Sequence, residues 1–230
     1  MRRLAVFTEG QTEQIFLQRF IEHVGGAKKI QFDLASVPTN PVLAKLVSRD
    51  PNLPAPRYFV LLYNCQNDDR VKSEILAQRE SLTKAGYDLI LGVRDLYPQP
   101  LSNLASVKLN LKTRVPTAGV PIHILLAVSE IEAWFLQDET HYQKVDARLD
   151  VSTFKLHFDF DPSVDSAENI PQPANLLHQI YSTVGKAYRK SKSHVERTVD
   201  VLDYDRLYLE KTGQLPHLAE LIGHLNAFFV

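Results

Sequence analysis

The chain has 230 residues, of which 44% are hydrophobic, and its formal net charge is −1. This is enough apolar material for one sizeable core, with or without a small appended domain. A charge so close to zero excludes binding of nucleic acid or membrane through bulk charge, so a local patch must carry any such binding. The single cysteine, Cys65, excludes an intramolecular disulfide and a multi-cysteine zinc site, and it favours a reducing cytoplasm. No run reaches the roughly 18 apolar residues of a membrane span, and the N-terminal apolar stretch is too short for a signal peptide.

The first part of the chain alternates between strand-like and helix-like patterns. Short apolar runs predict strands at residues 4–8, 30–37, 58–63, 89–93 and 122–128. Periodic apolar residues and stop signals predict helices at 11–24, 71–85 and 102–111, one opening at 131, and a short one at 40–47. This alternation predicts an α/β fold with a Rossmann-like, mostly parallel sheet and flanking helices.

The pattern weakens after residue 137. We expect an irregular stretch with one short strand near residues 154–160, followed by helices at 175–184 and 216–229. The predicted organisation is therefore an α/β domain over residues 1–137. A mainly helical C-terminal extension over 138–230 packs on it.

Carboxylates follow four of the predicted strands. These residues are Glu9, Asp68 (with its neighbour Asp69), Asp95, and Glu130 together with Glu132. Because parallel strands end at a shared edge, and open α/β sheets bind ligands there, we expect several of these acids to converge. Oxygen ligands of this kind suit a hard divalent cation such as Mg²⁺.

Ordinary structural roles offer an alternative explanation for three of these acids. Thr8 and Gln11 match a helix-capping box around Glu9. Asp68 sits where turn and cap residues are common, and Asp95 is placed for a turn before a proline.

A structural role explains only one of the two glutamates that follow the last predicted strand. Ser129 and Glu132 match a capping box, which gives Glu132 a complete structural explanation. The same box leaves Glu130 unexplained.

A locally basic stretch lies in the C-terminal part. Within it, the residues that we expect to bind nucleic acid are Arg189, Lys190, Lys192 and His194. Such a stretch can hold phosphates without reading sequence, and His194 has the chemistry of a general base. The alternative is an ordinary solvated loop.

Two motifs resemble a known family. The segment T-E-G-Q-T-E at residues 8–13, followed by Phe16 and Leu17, resembles the V-E-G-x-T-E…F opening of Toprim-like proteins. These include the nuclease domains of overcoming-lysogenization-defect nucleases and a related, largely uncharacterised bacterial branch. The E-I-E-A-W-F segment at residues 130–135 is similar to one that recurs in that branch. The resemblance covers roughly residues 1–137.

The resemblance implies a Toprim-like fold and a site for Mg²⁺ or Mn²⁺. It places Glu9 in the role of the strand-one glutamate, as general acid/base or metal ligand, and Asp95 as the first acid of the Asp-x-Asp pair. The second acid of that pair is replaced by Tyr97, and a phenol is a poor ligand for Mg²⁺. Asp68, Asp69 or Glu130 is the expected replacement, and without one the metal site is degraded and catalysis is lost. The expected catalytic residues are thus Glu9, Asp95 and Glu130, and the expected metal ligands are Glu9, Asp95 and Asp68.

Three functions are open at this point. The first is a metal-dependent phosphodiesterase, a nuclease of anti-phage defence with a partner ATPase, the last two features being implied by the resemblance alone. The second is a catalytically inactive Toprim-like module that binds nucleic acid or an ATPase, which Tyr97 favours. The third is a phosphate-ester enzyme that acts on nucleotides.

Overall fold

The computed structural model describes residues 1–37, 45–49, 54–67 and 69–230, with residues 45–49 described by their backbone alone. A six-stranded sheet has the order β3-β2-β4-β1-β5-β6. Its strands are β1 Arg2–Thr8, β2 Ile30–Ser36, β3 Lys45–Arg49, β4 Tyr58–Asn64, β5 Leu89–Asp95 and β6 Ile122–Ala127. Five of the strands run parallel, and β3 pairs antiparallel with β2 at one edge. The predicted α/β class with a mostly parallel sheet is confirmed.

Ten α-helices belong to the described residues. They are α1 Gln11–Gly25, α2 Arg70–Lys84, α3 Leu104–Lys112, α4 Glu132–Leu136, α5 His141–Val145, α6 Val151–Phe158, α7 Pro173–Ser182, α8 Lys192–Val199, α9 Tyr204–Leu209 and α10 Pro216–Phe228. None of the helices in the described ranges combines the length and the hydropathy needed to cross a bilayer.

The residues form two compact units that alternate along the chain. The first comprises Met1–Arg94, Ala105–Leu126 and His224–Val230, and the second comprises Asp95–Leu104 and Ala127–Gly223. The division between residues 137 and 138 stays a prediction.

The first unit is built around the sheet. The four central residues of β1, Leu4 to Phe7, are fully buried, as expected for a strand of a parallel sheet that is covered on both faces. Gly92 in β5 allows the helix α2 to pack closely, because a Cβ atom at this position would lie 2.8 Å from Ile75 Cδ1 and 3.0 Å from Val71 Cγ1.

The second unit is mainly helical, and one prediction for it is wrong. Residues 154–160 were expected to include a strand, whereas α6 spans Val151–Phe158. Asp150 caps this helix by accepting a hydrogen bond from the Ser152 amide at 2.9 Å, and Asp159 ends it in a left-handed conformation. The alternating apolar residues of this segment gave a strand-like period, but the cap and the burial of Phe154 favour the helix.

Two other local predictions are also resolved. The capping box proposed for Thr8 and Gln11 is wrong, because α1 is capped at Gly10, whose amide donates to Glu13 Oε2 at 2.7 Å. Residues 40–44 of the predicted short helix lie outside the described residues, and residues 45–47 belong to β3.

Candidate metal centre

Two adjacent chain segments build the site within the second unit. The backbone pairing of β5 with β6 continues past the strand ends, where the Leu96 amide donates to Ala127 O at 2.9 Å and the Tyr97 amide donates to Ser129 O at 2.8 Å. Ser129 adopts a left-handed conformation with φ of 63°, an uncommon one for a residue with a side chain. The chain turns sharply there and leads directly into Glu130.

Three carboxylates converge at this turn. Asp95, Glu130 and Glu132 are 3%, 8% and 0% exposed, and each offers an oxygen within 4.8 Å of the others. Two oxygens on opposite sides of a Mg²⁺ ion lie about 4.2 Å apart, since each bond is about 2.1 Å long. Adjacent oxygens around such an ion lie about 3.0 Å apart, so the three acids would share one divalent cation after moving closer together, and the all-carboxylate donor set suits Mg²⁺ or Mn²⁺.

Backbone and side-chain donors orient these carboxylates. The Ile131 amide donates to Asp95 Oδ1 at 3.0 Å, and the Ala174 amide, in the first turn of α7, donates to Glu130 Oε2 at 3.1 Å. The hydroxyl of the buried Tyr188 donates to Glu132 Oε1 at 2.9 Å. Each acid is thus oriented by a hydrogen bond to one of its two oxygens.

Lys190 contacts all three acids at once. Its Nζ atom lies 2.8 Å from Glu130 Oε1, 3.5 Å from Glu132 Oε2 and 3.8 Å from Asp95 Oδ2. Burial lowers the pKa of Lys190, but the negative charges of the three acids outweigh it and raise the pKa well above its ordinary value. The ammonium group is therefore charged at physiological pH.

The charge of this group and its access to solvent both bear on cation binding. Three carboxylates around one ammonium give these four side chains a formal charge of −2, which one divalent cation would neutralise. The side chain of Lys190 is 43% exposed, whereas those of Glu130 and Glu132 are 10% and 0% exposed. Lys190 is thus the most exposed of the four side chains, and the acids themselves are almost completely buried.

The structure brings together two of the predicted site residues, Asp95 and Glu130. Glu9 belongs to the first unit, at the turn after β1, where its negative charge contributes to raising the pKa of the buried Cys65 thiol, an effect dominated by burial. Asp68 lies outside the described residues. The roles proposed for Glu9 and Asp68 stay predictions.

The residues of the basic stretch make different contacts in the structure. Lys190 points its ammonium at the carboxylates, whereas Arg189 is exposed and its amide donates to His194 Nδ1 at 3.1 Å. Lys192 lies 3.7 Å from Glu196 in an exposed pair on α8. Partial burial, followed by the charges of nearby arginines, lowers the pKa of His194. The nucleic-acid role of this stretch stays a prediction.

Glu132 is the site residue that the sequence analysis assigned to a purely structural role. The helix α4 is capped at Ile131, and the side chain of Glu132 contacts Tyr188 and Lys190 instead of a backbone amide of Ser129. The E-x-E spacing directly after a buried strand was the available signal for it. The capping-box pattern outweighed that signal, because it explains Glu132 without a ligand.

Comparisons of the chain with protein-family models, with curated proteins and with solved structures give no match. The resemblance to Toprim-like proteins therefore stays a prediction. The candidate site is defined by the geometry of Asp95, Glu130, Glu132 and Lys190.

Proposed function

We propose that the chain binds Mg²⁺ or Mn²⁺ at Asp95, Glu130 and Glu132 and hydrolyses phosphodiesters, as a nuclease does. One observation carries the proposal: three almost fully buried carboxylates lie within 4.8 Å of one another. Keeping such groups together in a poorly solvated place is unfavourable unless cations compensate them. Lys190 supplies one positive charge, and a divalent cation would bring these four side chains to neutrality.

A cation bound there would offset charge on phosphoryl oxygens and lower the pKa of a water molecule. The protein's own residues divide the remaining work. Asp95, Glu130 and Glu132 hold the cation, each fixed by a hydrogen-bond donor of the fold. Lys190 stands on the solvent side of the acids, where its ammonium is placed to pair with a phosphate oxygen. The exposed Arg189 and Lys192 flank it and suit the neighbouring phosphates of a polynucleotide.

The resemblance to Toprim-like proteins supports the same chemistry from a separate direction. It assigns Glu9 the role of general acid/base or metal ligand and makes Asp95 a metal ligand. It is also the source of the proposals that the protein acts in anti-phage defence and works with an ATPase. We place the protein in the cytoplasm, on the basis of its single, buried cysteine.

A cleavage assay with near-isosteric variants tests this function. The purified chain is incubated with labelled single-stranded and duplex DNA and with RNA, in Mg²⁺, Mn²⁺ or EDTA. Cleavage should require the cation and should fall at least about 100-fold in Asp95→Asn and Glu130→Gln, the scale of losing one strong electrostatic contribution to a transition state. Glu210→Gln is the matched control, because Glu210 pairs with Arg206 and its side chain is 61% exposed. Activity that survives in both site variants, or no cleavage of any substrate, would overturn the enzyme proposal.

Lys190 itself favours a second candidate, a binding module without catalysis. Its ammonium already lies within 3.8 Å of all three acids, close to where a cation would sit. In a binding module of this kind, the lysine is the permanent counter-ion of the three acids. Tyr97 at the second acid position of the Toprim-like pattern also favours a module without catalysis. The wild-type chain would then bind no divalent cation and still retain nucleic acid in EDTA, without producing cleavage products.

A further inference from the structure

An exposed segment directly follows the first acid of the candidate metal centre. Residues 97–102 all lie on the surface, although Asp95 and Leu96 are buried. Tyr97 is 46% exposed and Leu101 is 40% exposed. Tyr97 is two residues from Asp95, and its amide is bonded to Ser129, the neighbour of Glu130. The backbone of this aromatic residue is thus tied to the same turn that carries the acids.

Hydrogen bonds within the segment and to Ser129 support its backbone. The Tyr97 amide donates to Ser129 O at 2.8 Å, and the Asn103 amide donates to Pro100 O at 2.9 Å. The side-chain amide of Asn103 also donates to Gln99 Oε1 at 3.0 Å. A surface aromatic on such a braced segment loses little conformational entropy when it contacts a ligand, which is a property of binding residues.

Cationic side chains belong to a second segment that reaches the same cluster through Lys190. Lys190 contacts the three acids, and its near neighbours Arg189 and Lys192 are exposed. The centre is therefore bordered by an aromatic residue in one segment and by cations in another. Proteins that bind single-stranded nucleic acids combine these two elements, because cations follow the backbone while an aromatic ring stacks on a base.

We propose that Tyr97 stacks on an unpaired nucleobase of a single-stranded nucleic acid whose phosphates contact Arg189 and Lys192. The inference rests on the proposed function, since it takes the acidic cluster as the place to which the strand is brought. It deepens that function by naming the substrate class. A duplex keeps its bases stacked inside and offers no free base face to Tyr97, so the stacking contact selects single strands. The residue that replaces the second acid of the Toprim-like pattern thereby gains a positioning role.

Binding measured in EDTA tests the inference separately from metal-dependent cleavage. Fluorescence anisotropy is followed with labelled 15-nucleotide single-stranded DNA, single-stranded RNA and duplex DNA. Tyr97→Ala should weaken single-strand binding about 5- to 150-fold, the loss that corresponds to one base–aromatic stack. Tyr97→Phe should stay within about twofold of the wild type, since a phenyl ring stacks as well. Leu209→Ala, which truncates a remote side chain that is 67% exposed, should change nothing.

A probe inside the oligonucleotide separates stacking from a general loss of structure. A strand that contains 2-aminopurine should show quenched fluorescence on binding to the wild type and to Tyr97→Phe, and no quenching with Tyr97→Ala at saturating protein. Equal affinity of the wild type and Tyr97→Ala, an equal loss for duplex and single strands, or no single-strand binding at all would each overturn the inference. The comparison of DNA with RNA shows which strand is preferred. Loss of cleavage with intact stacking would instead count against the proposed function alone.

Discussion

Replacing Lys190 by methionine should destabilise the protein by about 2 to 4 kcal/mol in EDTA. The change keeps an unbranched side chain that is one atom shorter and removes a positive charge that contacts Asp95, Glu130 and Glu132. Removing one partner of a buried ion pair costs about 3 to 5 kcal/mol, because it leaves the other charge poorly solvated. Solvent reaches the Lys190 side chain, which is 43% exposed, and lowers that cost.

Thermal and urea unfolding with a divalent cation form the assay. In EDTA the melting temperature of Lys190→Met should fall by about 4 to 16 °C, taking about 2 to 4 °C per kcal/mol for a chain of this size. Mg²⁺ or Mn²⁺ should then stabilise the variant more than the wild type, because the variant site carries one more negative charge. At a cation concentration of 100 times Kd the gain would be about 2.7 kcal/mol.

Lys192→Met is the matched control for this prediction. Lys192 is two residues away and pairs with Glu196 on an exposed helix face, with side chains 65% and 38% exposed. Losing such a pair should change stability by no more than about 0.5 kcal/mol. If Lys190→Met is as stable as this control and indifferent to divalent cations, the three acids do not form the concentrated negative site described above.

Three further predictions concern contacts away from the lysine. Tyr188→Phe removes the hydroxyl that donates to Glu132 at 2.9 Å, and urea unfolding should show a loss of about 1.5 to 3 kcal/mol, against no loss if this hydrogen bond is unimportant. Burial lowers the pKa of His141 to about 4, below the ordinary value of 6.5, so the unfolded chain binds the extra proton first and stability falls as pH drops from 6.5 to 4. The unfolding free energies of the wild type and His141→Gln should therefore converge by about 3 kcal/mol over that range, and a constant difference would contradict a buried neutral imidazole. Gly92→Ala should cost about 1 to 3 kcal/mol through crowding against Ile75, and the double variant with Ile75→Val should lose less than the sum of the two single changes.

The sequence predicts the sheet well because its strands carry strong local signals. β1 contains the apolar run at residues 4–7 and β5 the run at residues 89–93, and the acids Asp95 and Glu130 lie at or just past the carboxyl ends of neighbouring strands. Convergence at these strand ends follows from the parallel arrangement alone. Two of the three clustered carboxylates could therefore be predicted without a structure.

The remaining members of the site, Lys190 and Glu132, lie in sequence patterns that have ordinary structural explanations. Lys190 is 60 positions from Glu130 and lies in a basic stretch whose ordinary reading is a solvated surface. Its contact with the acids arises from tertiary packing, and the periodicity of a local sequence does not indicate such a contact. Glu132 was assigned to a helix cap because a capping box depends only on residue types three apart. The side chain instead meets Tyr188 and Lys190, which arrive from far along the chain.

Counting bound Mn²⁺ by electron paramagnetic resonance tests the central claim most directly. The wild-type chain should bind one Mn²⁺ ion, Mg²⁺ should compete for it, and Asp95→Asn and Glu130→Gln should each weaken binding at least about tenfold, while Glu210→Gln should bind as the wild type does. No saturable Mn²⁺ binding below about millimolar concentration, the weak end of protein sites for hard divalent cations, would contradict the account. Binding that is unchanged in both site variants would contradict it equally.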